Sequence, residues 1–447
     1  MTRRKVTLVG GGSYTWGPTL IKDLLLKEGL GQVDYYLLDI NLEAAEMMKA
    51  YGEKANAKFG TDCQFMATTN ENEAFEGTDF VIITISTGGL EAMRHDLEIP
   101  EKHRIYHTVG DTCGPGGWAR AVRNIPVLVE MARKIECLSP DAVVINYSNP
   151  MAVLTDAICR TTQLKTVGLC HGLFSNYRVL QAIFDLESED QIKCRVAGVN
   201  HFFWMLDLTI NGRPGYPQLY EKMAGRNFAE LISDIYADAM DFSSNMWVAG
   251  ELLEQIGYLT YVGDRHTSEF FPHYLTGSEE NLKRYKLVRT SIHERMEGVS
   301  ARKEWIQDVL DGKEAIPDTP SRESAADIIH SFVTGREFVD VMNVPNIGQV
   351  ENLPHGAVVE TLGIINALGF TPLSAGPLPP KVLDLVLPHS ENQVRLLGGM
   401  LNHDRDQVYA ALVHDPLCSH LTYPERLQMG RELLEANRDL VPDFMLR

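Results

Sequence analysis

A run of glycines near the start of the chain has the composition of a phosphate-binding loop. Gly10, Gly11 and Gly12 follow a short β-branched segment, and Ser13 leads into a helical pattern. Glycines at such a strand-to-helix turn let the backbone approach a pyrophosphate at the helix N-terminus. Asp39 ends the next predicted strand, where an acid binds the ribose 2′-hydroxyl and disfavours a 2′-phosphate. The pattern predicts NAD binding, although the third glycine of G-x-G-x-x-G is absent, and Asp39 has an alternative interpretation as a helix cap.

Residue types that bind metals or transfer protons occur in four further segments. They are the glycine-rich stretch around Asp111, Asn149 before a proline, the pair Cys170 and His171, and His201. In a doubly wound sheet, ligands bind at the carboxyl ends of the strands, which is where we expect these segments to meet. The combination predicts a metal or catalytic site. Each residue alone has a simpler interpretation, because a single cysteine or histidine is more often a packed structural group.

The pattern of strands and helices supplies the elements that would hold these residues. Six short apolar or β-branched runs alternate with helical stretches, at 5–10, 33–39, 80–86, 142–147, 165–169 and 195–199. Nearly continuous apolar runs are typical of parallel strands covered by helices on both faces. We predict an α/β protein with an N-terminal Rossmann-like doubly wound parallel sheet over 1–195. A helix capped by Asn41 is expected to run to about residue 59. The remainder, 196–447, predicts a mostly helical α+β domain that forms the substrate site and an oligomer interface, with helices over 226–257, 278–311, 321–336, 381–402 and 424–437.

Charge and composition exclude several classes of protein. The 447 residues include 41 Lys and Arg against 60 Asp and Glu, a formal net charge of −19. Nucleic acids and anionic membranes are therefore not expected partners. Seven scattered cysteines without a CxxC pair indicate a reducing compartment rather than a disulfide framework. Apolar runs are of strand length, too short for a membrane span, so we expect a cytoplasmic protein.

A series of motifs, in this order, resembles the NAD- and divalent-metal-dependent glycoside hydrolases of family four. That family includes α-glucosidases, α-galactosidases, α-glucuronidases and 6-phospho-glycosidases, and it shares the fold of lactate and malate dehydrogenases. The resemblance covers most of the chain. Its motifs are VGGGS at 9–13, GDTCGPGG at 110–117, NYSNPMAV at 146–153, GLCHG at 168–172, AGVNH at 197–201, YVGD at 261–264, VMNVPNIGQVENLP at 341–354 and GPLPP at 376–380.

The resemblance implies a route of hydrolysis that does not depend on two carboxylates. In this family, NAD takes a hydride from the sugar C3 hydroxyl, and the resulting ketone acidifies the proton at C2. A base removes that proton, a metal ion stabilises the enolate, and the glycosidic oxygen leaves by elimination. Water then adds at C1 and the hydride returns to C3. The cofactor therefore cycles without net oxidation of the sugar.

The resemblance also implies metal ligands and a cofactor-side sugar contact. Cys170 and His201 correspond to the metal ligands, with manganese as the usual ion of the family. A thiolate is an unusual ligand for manganese, which prefers oxygen donors, so cobalt, nickel or iron could substitute. Asp111 and Asn149 correspond to residues that bind sugar hydroxyls near the nicotinamide.

Roles in proton transfer follow from the same resemblance. Asp264 corresponds to the base that removes the C2 proton, although some members use a tyrosine there and Tyr261 lies close by. Asp264 has an alternative interpretation as a loop residue paired with Arg265. His171, next to the metal cysteine, is the expected acid that assists the leaving group.

The residues around Cys170 also indicate the substrate. Phospho-sugar members usually have Asp or Asn after the metal cysteine, whereas this chain has His171 followed by Gly172, the Cys-His-Gly pattern of the α-glucuronidase group. A uronate carboxylate needs a cationic partner, and Arg265 with His266 could provide one. We expect an unphosphorylated α-hexuronoside, glucuronide or galacturonide. The alternative within the family is a neutral-sugar α-galactosidase or α-glucosidase.

Other functions fit parts of the sequence. The N-terminal half also resembles lactate- and malate-type dehydrogenases, so an NAD-dependent 2-hydroxyacid dehydrogenase is a second alternative and an NAD-sensing protein is a third. Dehydrogenases of that type are shorter and have no need of Cys170 with His171. The family tends to form homodimers or homotetramers, and the helical second half predicts such an interface.

Overall fold

One mixed sheet runs through the protein. The structure is a computed structural model that describes residues 3–30, 32–235 and 244–447, so part of the helix predicted over 226–257 lies outside the described residues. In chain order, the strands are β1 Arg4–Val9, β2 Val33–Leu38, β3 Gln64–Thr68, β4 Phe80–Ile83, β5 Val143–Asn146, β6 Lys165–Gly168, β7 Ile192–Val199, β8 Phe202–Ile210, β9 Arg213–Pro214, β10 Leu259–Thr260, β11 Phe338–Pro345, β12 Val358–Asn366 and β13 Gly369–Pro372.

The first six strands form the predicted parallel sheet. Their order is β3-β2-β1-β4-β5-β6, and every neighbouring pair is parallel. All four residues of β4 and all four of β5 are buried, because helices cover both faces. This is the doubly wound arrangement in which the chain changes direction beside β1. The predicted fold class of the N-terminal half is therefore confirmed.

The second half of the chain continues the same sheet with antiparallel strands. Beyond β6 the order is β11-β12-β7-β8-β10, and β11 joins β6 through the pair Asn343 and Gly168. The sequence analysis did not locate β11 and β12, whose pairing depends on contacts distant in sequence. The proposed domain boundary at 195 falls within β7, so both halves contribute to one sheet; the division into two domains stays a prediction.

Helices surround the sheet and begin near the edge that carries the polar segments. They are α1 Gly17–Leu26, α2 Leu42–Phe59, α3 Glu71–Phe75, α4 Gly89–Lys102, α5 Gly114–Leu138, α6 Met151–Thr161, α7 Gly172–Phe184, α8 Gly215–Met223, α9 Phe228–Ile235, α10 Trp247–Ile256, α11 Asp264–Thr267, α12 Pro272–Leu275, α13 Glu280–Arg284, α14 Ile292–Asp311, α15 Ala325–Thr334, α16 Pro380–Leu401, α17 Arg405–Val413, α18 Tyr423–Ala436 and α19 Asp443–Leu446. Within the described residues, none of these helices is long and apolar enough to cross a bilayer.

Local signals in the sequence explain several boundaries. Asn41 caps α2, where its side-chain oxygen accepts a hydrogen bond from the backbone N–H of Ala44 at 3.2 Å. The helix ends at Gly60, whose φ of 66° is left-handed. A single helix expected over 278–311 is instead divided into α13 and α14, since Lys286 between them has a φ of 51°.

Candidate active site

The glycine loop leaves no room for side chains on the side that faces the sheet and α2. A Cβ on Gly11 would lie 2.5 Å from the Cα of Leu37, and one on Gly12 would lie 2.8 Å from the Cβ of Ala44. The backbone is therefore bare where a pyrophosphate would approach it. Gly17 takes the place of the third glycine in helix packing, because a Cβ at this position would lie only 2.7 Å from Met48 Sδ in α2.

Asp39 lies beside this loop at the end of β2. One carboxylate oxygen accepts the backbone N–H of Gly12 at 2.9 Å, and the other accepts the backbone N–H of Asn41 at 2.9 Å. Because the side chain of Asn41 caps α2, Asp39 is not the cap of that helix. Its half-buried carboxylate instead fixes the loop geometry at the position where the ribose of a dinucleotide would lie.

A second group of polar side chains contains three possible metal ligands. In the described part of the chain, ligand atoms of Asp111, His201 and His266 all lie within 4.8 Å of one another. Thr112 connects two of them, since its hydroxyl is 2.7 Å from Asp111 Oδ1 and 2.8 Å from His201 Nδ1. The rings of His201 and His266 stack with centroids 3.9 Å apart. Asp111 and His201 lie in loops and His266 in the short helix α11, and these segments, distant in sequence, meet at the carboxyl edge of the sheet.

The protonation states of this cluster suit a cation. Burial lowers the pKa of His201 well below its ordinary value and lowers that of His266 to about 4, so both imidazoles are neutral at pH 7. Burial alone would raise the pKa of Asp111. The Arg120 cation, the hydrogen bond from Thr112 and any positive charge on the two histidines lower it, so the carboxylate stays ionised. The Nδ1 atom of His266 is buried and has no hydrogen-bond partner. One ionised carboxylate with two neutral imidazoles is a donor set that holds divalent transition-metal ions such as iron.

Cys170 lies near this cluster without belonging to it. Gly172, two residues on, packs against the ring of Tyr261: a Cβ on that glycine would lie 3.3 Å from Tyr261 Cε2. The Tyr261 ring is in turn 6.0 Å from that of His201. Burial, and then the nearby Glu360, raise the pKa of the Cys170 thiol. Binding of a metal at this sulfur would therefore release a proton.

The carboxylate of Asp264 is engaged by backbone N–H groups, whereas a free base would have an unpaired carboxylate. Its two carboxylate oxygens accept the backbone N–H groups of Val248 and Ala249, at 3.2 and 3.0 Å. These are the first N–H groups of α10, so Asp264 caps that helix from a separate loop. The side chain is 1% exposed, and burial raises its pKa to about 7. Tyr261 is also buried, but its ring lies beside the histidine cluster.

Arg265 and Asn149 lie on two sides of Asp111. Arg265 donates from Nη2 to the carbonyl of Thr108 at 3.2 Å and to the hydroxyl of Thr290 at 2.6 Å, while its buried Nε has no partner. It is therefore not paired with Asp264 in the described structure. Asn149 donates to Asp111 Oδ2 at 3.4 Å. Its backbone carbonyl accepts from Arg120 Nε at 3.0 Å.

His171 is partly exposed at the start of α7. Its Nδ1 lies 3.3 Å from a carboxylate oxygen of Glu323, which precedes α15. A carboxylate at this distance orients the ring. Gly172 thus brings the Cys170–His171 segment against Tyr261, whereas Asp264 is engaged by the first turn of α10.

Comparison with known proteins agrees with this arrangement. The family model for family 4 glycosyl hydrolases matches residues 5–186, and the model for the C-terminal domain of the same family matches residues 196–418. The chain is a family 4 glycosyl hydrolase. The resemblance predicted from the sequence motifs is confirmed, and the enzyme acts on glycosidic bonds.

Individual relatives of this family 4 glycosyl hydrolase match over nearly the full length. It is 32% identical to an α-galacturonidase of Thermoanaerobacterium saccharolyticum, over 99% of this chain and 97% of the relative. The structure of lplD from Bacillus subtilis, described as a glucosidase, superposes with a TM-score of 0.88 at 29% identity, covering 97% of this chain and 100% of that one. A 6-phospho-α-glucosidase from gut microorganisms in complex with NAD and Mn²⁺ superposes with a TM-score of 0.81 at 19% identity, covering 99% of each chain.

The structure also identifies residues of the family 4 glycosyl hydrolase site that the sequence analysis did not. His266 was predicted as a partner for a uronate, not as a member of a metal-binding cluster, and Thr112 and Arg120 were not predicted as individual site residues. Thr112 and His266 each lie within two residues of a predicted position, Asp111 and Asp264, so a search of the neighbours of motif residues would have found them. Arg120 lies a further turn along α5 and has no such signal.

Proposed function

We propose that this enzyme is an α-galacturonidase that uses NAD and a divalent metal ion, most suitably manganese. The main support is the position of the Asp111, His201 and His266 cluster at the sheet edge that also carries the glycine loop. The 32% identical α-galacturonidase supports the choice of galacturonide over glucuronide. The motif Cys-His-Gly, without Asp or Asn after the cysteine, supports an unphosphorylated sugar.

The residues present fit both cofactors. Gly10 to Ser13 would hold the pyrophosphate of NAD and Asp39 its ribose. His201 and Cys170 would hold the metal, and His266 and Asp111 are further ligand candidates because their donor atoms lie beside His201. When bound, NAD supplies a reversible hydride acceptor for the sugar C3 hydroxyl, and the metal supplies Lewis-acid stabilisation of the oxygens at C2 and C3.

The proton at C2 requires a base, and the geometry favours Tyr261 over Asp264. Both oxygens of Asp264 accept N–H groups at the start of α10, and turning them towards a sugar would uncap that helix. The Tyr261 ring stands 6.0 Å from His201 and 6.1 Å from His266 between centroids, so the ring packs beside the proposed metal ligands. A nearby metal would favour the phenolate that a base needs. His171, oriented by Glu323, would protonate the departing oxygen.

The uronate carboxylate would bind Arg265. Among the described residues, the buried Nε of Arg265 has no hydrogen-bond partner. A buried donor without an acceptor costs free energy, and a bound carboxylate would supply the missing acceptor. Burial lowers the pKa of Arg265, and the nearby Arg295 lowers it further, so an anion at this position would relieve the repulsion between two cations. Asp111 and Asn149 would bind the sugar hydroxyls.

A panel of nitrophenyl α-glycosides tests the proposal. The α-galacturonide should be cleaved fastest among galacturonide, glucuronide, galactoside and glucoside, and only with NAD, Mn²⁺ and a thiol reductant present. Hydrolysis in heavy water should place deuterium at C2 of the product without net NADH. Preference for a neutral glycoside would support the galactosidase or glucosidase alternative. Stoichiometric NADH from a free hydroxyacid would instead identify a dehydrogenase. A cytoplasmic homodimer or homotetramer stays a prediction.

A further inference from the structure

Helix α14 has few buried residues for its length. It contains 20 residues, about 30 Å of helix, and only Ile292, Ile306 and Val309 are buried. From His293 to Trp305, every residue is at least partly exposed. A helix stabilised by packing normally has an apolar stripe along its whole length. The helix is therefore anchored at its two ends, and its middle is more exposed.

The two ends of α14 contact different parts of the protein. Ile292 joins a small apolar cluster with Met93 and Leu97 of α4. Ile306 and Val309 belong to the apolar core beside α1 and α2, where Trp305 also lies 6.1 Å from the ring of Tyr51. The helix thus bridges the region behind the glycine-rich Asp111 loop and the helices that flank the dinucleotide loop.

The stripe that carries these anchors contains two arginines in its middle. Ile292, Arg295, Val299, Arg302, Ile306 and Val309 follow the 3-4 spacing of one helix face. Arg302 occupies a position in this stripe where an apolar residue would continue the packing. Its guanidinium turns towards the glycine loop, and Nη1 lies 3.4 Å from the hydroxyl of Thr15.

Arg302 differs from the lysine beside it in having no carboxylate partner. Lys303 Nζ lies 3.5 Å from Glu43 Oε1 at the start of α2 and above the ring of Tyr14. Among the residues that the structure describes, the Thr15 hydroxyl is the hydrogen-bond partner of Arg302, and no ion pair joins it. Arg302 is also exposed, so a ligand on the loop can reach it.

We infer that Arg302 binds the pyrophosphate of the dinucleotide, closing over it from the side opposite the bare glycine backbone. This inference rests on the proposed function, because it requires a dinucleotide on the loop. The chain has a net charge of −19, which repels a dianionic pyrophosphate, and a local guanidinium offsets that repulsion. A guanidinium also matches the paired oxygens of a phosphate in geometry, as a lysine does not.

Binding of dinucleotide fragments, measured by calorimetry without metal or substrate, tests this role. Arg302→Gln should weaken binding of NAD and of ADP-ribose about tenfold or more, as expected for loss of a charged hydrogen bond. Adenosine, which lacks the pyrophosphate, should bind the variant and the wild-type protein within about twofold. Arg302→Lys should retain part of the affinity, because it keeps the charge but not the fork.

Lys303→Gln is the matched control. It removes the same positive charge from the neighbouring residue, whose side chain is already paired with Glu43. It should weaken ADP-ribose binding by less than about threefold. Equal loss of adenosine and ADP-ribose binding in Arg302→Gln would show a structural role and overturn the inference, as would unchanged ADP-ribose binding. Failure of the wild-type protein to bind ADP-ribose would overturn the proposed cofactor itself, which separates the two results.

Discussion

The two acidic residues nearest the proposed ligands are held in different ways. Asp39 is half-buried, and its oxygens accept backbone N–H groups from within the same strand-loop-helix unit. Asp111 is buried, and its contacts are with side chains rather than backbone. The side chains around Asp111 come from separate parts of the chain: Thr112, Asn149 and His266.

This difference shows how the two halves of the site are built. On the dinucleotide side, backbone groups and one carboxylate are already paired, so the protein alone fixes the loop. On the sugar side, His266 Nδ1 and Arg265 Nε are buried and lack partners. Each buried atom of that kind calls for an explanation, and beside a set of possible metal ligands a bound ion or substrate is one. We therefore expect substitutions on the sugar side to have the larger effects on activity.

The largest effect is expected for Asp111→Asn. Removing this negative charge should lower kcat/KM by about a hundredfold or more, because it weakens the metal site and its contact to the sugar. Titration with Mn²⁺, followed by electron paramagnetic resonance, should show weaker binding in parallel. Asp141→Asn, at an exposed position far from the cluster, is the control for loss of one charge. A kcat/KM and an Mn²⁺ affinity close to wild type would remove Asp111 from the site.

A nearly equal effect is expected for Tyr261→Phe, and the comparison with Asp264→Asn separates the two candidate bases. Loss of the base should lower kcat by about 10²- to 10⁴-fold and slow the entry of deuterium at C2, with an unchanged melting temperature. Asp264→Asn should mainly destabilise the fold, by about 1 kcal/mol or more, because the amide NH₂ replaces one of the two oxygens that accept buried backbone N–H groups. A folded, inactive Asp264→Asn with an active Tyr261→Phe would reverse the assignment.

Arg265→Met should change specificity more than turnover. The ratio of kcat/KM for the α-galacturonide to that for the α-galactoside should fall about 10- to 100-fold, as expected for a charged hydrogen bond to the carboxylate. Because Arg265 also holds Thr108 and Thr290, some general loss is expected, but it should affect both substrates equally. Arg213→Met, at an exposed position in β9, is the control. An unchanged ratio would move the uronate contact to another cation.

The sequence predicted the dinucleotide half of the fold closely because its signals are local. Strands buried on both faces have continuous apolar runs, so 80–86 and 142–147 indicated β4 and β5. Asn41 marked the start of α2 through its capping side chain. The strands β11 and β12 were not located, because their place between β6 and β7 depends on pairing between residues far apart in the sequence.

The sugar half of the site was predicted by residue type but not by arrangement. Asp111, Asn149 and His201 were expected to meet, and the structure brings Asp111 within reach of both others through Thr112 and the Asn149 amide. The capping of α10 by Asp264 could not be foreseen, since it joins a loop to backbone 15 or 16 residues earlier. His266 enters the cluster only because the loop folds back over His201.

The smallest of these effects is expected for Asp39→Asn, on the side where the protein already supplies the contacts. The amide keeps an oxygen acceptor for Gly12 or Asn41, so the loop should retain its shape and the melting temperature should hardly change. Loss of the charge removes the repulsion of a 2′-phosphate, and the preference for NAD over NADP should fall roughly tenfold. Calorimetric affinities for both dinucleotides measure this directly. If the preference for NAD over NADP were unchanged while the affinity for NAD fell sharply, Asp39 would hold the loop rather than select the cofactor. Asp39 and Asp111 would then differ less in their roles than their contacts indicate.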